Sequence, residues 1–171
     1  YLDQMQAAHL AFAAGQAAEA TAASLAALEI AGDDRVRSFA AIELGCEASI
    51  AASDFQTAVR LCARILEHDN PERVRTAHFV LGNLHRLHLG DCREAITHYT
   101  KAILQGADSL FTHEARRFRA ECAIEVEDVG LADLDLDILE ARPGLLSRSG
   151  ELEQLRARWR RLSRQAAVSS T

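Results

Sequence analysis

The stretch from Asn70 to Ala107, NPERVRTAHFVLGNLHRLHLGDCREAITHYTKAILQGA, decides the fold of this 171-residue chain. Asn70 is a helix-capping residue type, and Pro71 suits a first helical turn, where its missing N–H costs nothing. Val74, Ala77, Leu81 and Leu84 then recur at steps of three and four, so they share one face of a helix. Gly90-Asp91 breaks that helix. A second one is expected from Arg93 to Gln105, carrying Ala95, Ile96, Tyr99, Ala102 and Ile103 inward, with Gly106 as its C-cap.

Outside this stretch the same hairpin returns. Ala20, Ala58, Ala95 and Ala132 are separated by 38, 37 and 37 residues. Four residues after each Ala stands a packing residue (Ser24, Cys62, Tyr99, Leu136), and seven after it another (Ala27, Ile65, Ala102, Leu139). These steps place all three on one helix face, and a helix rebuilt at a fixed period signals a repeat architecture. The spacing divides the chain into units of about 1–32, 33–69, 70–107 and 108–144. Residues 145–171 form a C-terminal amphipathic capping helix and tail, in which Leu152, Leu155, Trp159 and Leu162 make one apolar stripe.

Leu81-Gly82-Asn83, Leu89-Gly90-Asp91, Glu94-Ala95-Ile96, Tyr99 and Lys101-Ala102-Ile103 resemble a tetratricopeptide repeat. The resemblance implies an all-α fold, a right-handed α-α superhelix of about four helical hairpins plus the capping helix. It implies that Gly82 and Ala95 let two helices approach closely while Tyr99 fills the space between them. It also implies a concave groove lined by first helices: Met5, His9 and Phe12, then Phe39, Ile42 and Cys46, then Phe79, Asn83 and Arg86, then Arg116. Asn83, with Arg86 and Arg116, would hold an anionic or carboxylate end of a bound peptide. One departure is visible: five residues separate Asn83 from Leu89 where the common pattern has four. Gly45–Ala58 and Gly82–Ala95 share one 13-residue spacing, so the first helices of both units carry an added residue.

Composition narrows the function. The net charge of −6 argues against general nucleic-acid binding. No run of 18 apolar residues exists, so no membrane span is expected. Cys46, Cys62, Cys92 and Cys122 form no CxxC pair, so neither a disulfide framework nor a zinc site is expected. A cytoplasmic protein is the simplest reading, or a periplasmic one if a leader preceded Tyr1. Eighteen arginines beside one lysine, with abundant alanine, point to a GC-rich bacterial genome.

No phosphate-binding glycine loop, GxSxG elbow or HExxH motif occurs. His85 and His88 lie three apart on a helix without a third metal ligand, and His78 is about 10 Å further along it. Cys92 beside His88 or His98 lacks an orienting group and an oxyanion site. No catalytic residue, cofactor or metal is therefore expected. Asp133, Asp137 and Glu140 share a helix face suited to the arginines that follow. The expected function is a non-catalytic protein-interaction scaffold or adaptor, binding a peptide or helix of a partner in the groove. Two alternatives remain. One is a structural subunit that forms homo- or hetero-oligomers through the C-terminal helix, with Trp159 at the interface. The other is a regulatory module of a larger bacterial protein.

Overall fold

The computed structural model describes residues 1–106, 109–142 and 149–169. Pro143, Gly144, Arg148 and the boundaries drawn at 107/108 and 144/145 lie outside them. The described residues fold into nine α-helices and no strand. They are α1 (Leu2–Ala13), α2 (Ala17–Ala31), α3 (Arg35–Ala51), α4 (Phe55–Ile65), α5 (Pro71–Leu84), α6 (Cys92–Leu104), α7 (Leu110–Glu125), α8 (Val129–Glu140) and α9 (Ser149–Ser169). Two compact units contain them, Tyr1–Ala77 and His78–Thr171, with the division inside α5.

The recurring alanine marks the same structural place each time. Ala20, Ala58, Ala95 and Ala132 are all fully buried. Five residues before each stands a residue with left-handed backbone: Gly15, Ser53, Gly90 and Glu127, with φ of 75°, 61°, 65° and 63°. The residue after it caps the second helix. The Asp54, Asp91 and Asp128 carboxylates accept from the backbone N–H three residues on, at 3.0–3.2 Å. These three turns thus satisfy donors that a helix start leaves open, whereas Gln16 makes no such bond.

The added residue of the third unit has a visible fate. His85–Leu89 form a π-helical turn that ends at Gly90. The N–H of Asp91 bonds the His85 carbonyl six residues back, whereas Gln16, Asp54 and Asp128 each reach five back. One extra residue in a helix is accommodated by such a widened turn. In the second unit α3 runs as α-helix to Ala51, so the shared 13-residue spacing does not impose a shared backbone.

Unit one packs Met5, Ala8, Ala27, Ala41 and Leu44 into one core. A Cβ on Gly45 would meet Leu61 at 3.0 Å and Ser24 at 3.2 Å, so that glycine sets a close helix approach. The expectation of no disulfide fails here, because Cys46 and Cys62 are joined, with Cα atoms 5.5 Å apart. Cys46 lies beside Gly45 and Cys62 four residues after Ala58, so both stand on the face where α3 meets α4. In unit two, a Cβ on Gly82 would lie 2.6 Å from the Tyr99 ring. The close approach of α5 and α6, with Tyr99 as filler, is thus present. Cys92, Ala95, Tyr99, Ile103, Ala115 and Cys122 form one core cluster, and Ala120, Ala123, Ala132, Leu136 and Leu155 lie in another.

Candidate binding site

In unit one the expected groove residues divide by depth. Met5 belongs to the core, Phe12 packs half-buried against it, and His9 is exposed. Cys46 is buried and disulfide-bonded to Cys62, so it joins α3 to α4. Phe39 and Ile42 line a cleft of about 420 Å³. Its walls come from the α2–α3 turn (Gly32, Asp33), the start of α3 (Arg35, Val36) and the segment after α4 (Glu67, His68, Asp69). Phe39 is held in place from two sides: the His68 ring lies 4.0 Å from it, and the Arg73 guanidinium stands 4.5 Å over its face. Arg73 is itself fixed by Glu43 at 3.0 Å. At the rim, Val36 is 82% exposed, an apolar side chain with nothing over it.

In unit two, the groups expected to hold an anion are already bonded. Asn83 accepts from the Tyr99 hydroxyl at 2.8 Å. Arg86 donates to Glu121 at 2.6 Å and to the Tyr99 oxygen at 3.3 Å, and lies 4.1 Å over the Phe118 ring. Arg117 covers Phe118 at the same distance and also bonds Glu121. Burial pushes the Glu121 carboxyl up, against the opposing pull of Arg86 and Arg117. Phe79 is half-buried between Phe111, Tyr99 and Phe118. Arg116 reaches Asp135 at 3.3 Å, and Arg119 grips the same carboxylate through two bonds of 2.7 Å. Asp135 is fully buried. The polar atoms of Asn83, Arg86 and Arg116 are thus engaged within the chain, and an incoming carboxylate would have to displace these partners. Sequence reading missed this because Glu121 is 35 residues from Arg86, and helical period says nothing of pairing across that distance.

The C-terminal helix packs on unit two through its apolar stripe. Trp159 donates from its indole N–H to the Val129 carbonyl at 3.0 Å and is half-buried beside Leu152 and Leu162 against the α7–α8 core. Arg156 lies 4.9 Å from its ring centroid and bonds Asp133, Glu140 and Asp137. The stripe packs against α7 and α8, and Arg156 meets the acid face of α8.

A histidine contact between α5 and α6 is not apparent from the spacing of His78, His85 and His88. The Nδ1 atoms of His78 and His98 lie 3.0 Å apart, and the His85 ring stacks on His98 at 5.6 Å. Burial, then the neighbouring His78, His85 and Lys101, lower His98 from 6.5 to about 4. A neutral pair with one donor and one acceptor ring nitrogen fits this geometry. The repeat frame holds a signal for it, since His98 falls at the inward position of Leu61. No cluster of three metal-ligating side chains exists among the described residues. No helix among them is long and apolar enough to cross a membrane.

Helical hairpins closed by a left-handed turn, with a small residue opposed to a filler, define a tetratricopeptide-like helical-repeat fold. The chain is similar to a tetratricopeptide repeat protein from Parabacteroides merdae, at 17% identity and a TM-score of 0.76. The likeness covers 96% of this chain and 60% of that one, so the chain spans less than two thirds of its neighbour's length. No protein-family model matches the chain. No curated protein matches it.

Proposed function

We propose that the protein is a non-catalytic interaction scaffold that binds a peptide segment of a partner protein. The observation that carries this reading is the unit-one cleft. Its floor is Phe39 and Ile42, its rim is the uncovered Val36, and Phe39 is locked between His68 and Arg73. A rigid apolar floor with charged walls of both signs suits an apolar side chain flanked by polar backbone. His9 and Phe12 of α1 belong to the same proposed binding face as the cleft. Support at the level of fold comes from the likeness to a tetratricopeptide repeat protein.

The test is selection from a random peptide display library, followed by competition between the selected peptides and substitution at the rim. Val36→Arg changes an exposed side chain and leaves the core intact. Selected peptides should share an apolar anchor and lose at least ten-fold in affinity for the variant. Peptides that bind Val36→Arg as well as the parent would remove the cleft from the reading.

A further inference from the structure

The arginines of α9 divide into two sets. Arg156 is enclosed by three carboxylates of α8, and Arg158 reaches Glu125 only at 4.0 Å. Arg160, Arg161 and Arg164 are exposed and have no ion pair among the described residues. Arg160 and Arg164 are one turn apart, about 6 Å along the axis, and Arg161 sits beside them. Like charges at this separation repel and weaken a helix. No acid of α9 lies nearer to them than Glu153, seven residues before Arg160. The charge is therefore unbalanced locally on a chain that is acidic as a whole.

We propose that this outer face of α9 docks an acidic segment of a partner protein, with Arg160, Arg161 and Arg164 as its anion-binding groups. Guanidinium forks take carboxylates through paired bonds. Their 6 Å spacing matches carboxylates one turn apart on a helix, or on alternate residues of an extended strand. An anionic membrane fits less well, because Leu152, Leu155, Trp159 and Leu162 are used against α7 and α8 and cannot enter lipid. Nucleic acid fits less well too. Duplex DNA carries a charge every ~1.7 Å along its axis, far more than three arginines neutralise, on a chain whose net charge is −6. A short acidic segment carries few enough charges for the three to match. This surface is separate from the unit-one cleft, so either can fail alone.

The test uses the full chain and three labelled probes read by fluorescence anisotropy at 50 and 300 mM NaCl. The probes are a helical peptide with glutamates at i and i+4, a single-stranded oligonucleotide of equal charge, and vesicles with anionic headgroups. The peptide should bind at 50 mM, and at least ten-fold more weakly at 300 mM. It should also weaken at least ten-fold in Arg160→Gln/Arg161→Gln/Arg164→Gln, while Arg93→Gln, an exposed arginine of α6, leaves affinity unchanged. A second triple variant to lysine retains charge and fold, and should bind with intermediate affinity. The proposal is overturned by absent peptide binding at 50 mM, by equal affinity for the parent and both triple variants, or by tighter binding of the oligonucleotide or the vesicles.

Discussion

Replacing His78 by Ala and His98 by Leu installs the residues found 37 positions earlier, Ala41 and Leu61, so the substitution is one the repeat already accommodates. The pair it removes is buried, with Nδ1 atoms 3.0 Å apart and the Glu94 carboxylate 3.4 Å from the outer nitrogen of His98. Lys101 and His85 oppose a proton there. His98 is lowered from 6.5 to about 4 in the folded chain. As pH falls through 6.5 the unfolded chain takes up the proton first. The stability is therefore fully present above that value and drains away toward pH 4, with no further loss below it. At pH 5.0 the loss relative to pH 7.5 is about 2 kcal/mol from His98. His78, lowered by burial and by Lys101, adds to it in the same direction. Urea unfolding of both proteins at the two pH values reads the effect directly. The parent should lose about 2 kcal/mol more than the double variant on acidification. Equal losses, within about 0.5 kcal/mol, would refute the assignment of acid sensitivity to this contact.

Three further outcomes concern backbone and packing. Gly82→Ala places a methyl 2.6 Å from the Tyr99 ring, and overpacking of this kind should cost about 1–3 kcal/mol. Gly45→Ala, whose nearest atom is a Leu61 methyl at 3.0 Å, should cost less, and thermal melts of the two variants check the order. Ser53→Gly and Glu127→Gly relieve left-handed backbone and should each raise stability by roughly 1 kcal/mol, read as a higher urea midpoint. Reduction of Cys46–Cys62, which are 16 residues apart, should lower stability by about 3 kcal/mol, seen as a fall in Tm when a phosphine reductant is added.

The helix pairs were legible in the sequence because their evidence is local. An alanine, a residue four later and a residue seven later share a face whatever lies opposite, and all four alanines prove buried. The close approach of Gly82 to Tyr99 was legible through the tetratricopeptide resemblance. The site was less so. Asn83, Arg86 and Arg116 are expected groove residues by the resemblance, and Tyr99, Glu121 and Asp135 bond their polar atoms from 16, 35 and 19 residues away. The disulfide was hidden for a similar reason. Cys46 and Cys62 make no motif in sequence, and they meet only because each sits on the contact face of its own helix.

Equivalent positions in successive repeats carry different chemistry, and this bears on how a repetitive chain finds its own pairing. Gly45, Gly82 and Arg119 are one such series; Leu61, His98 and Asp135 are another. Each second helix is shaped alike, so α8 could dock on α5 in place of α6. That misplaced pairing would set Asp135 where His98 belongs and strand Arg119 without its carboxylate, burying charges unpaired, which is strongly unfavourable. The Arg119–Asp135 pair thus contributes little net stability over an apolar pair but discriminates against the wrong partner. Arg119→Gly with Asp135→Leu makes the fourth repeat resemble the second and erases that mark. Equilibrium stability should fall by about 3–5 kcal/mol, since a buried side chain is removed and Arg116 loses Asp135, while refolding should gain a slow phase from chains that must undock and re-pair. Refolding that stays single-exponential at the parent's rate would show that register is set elsewhere.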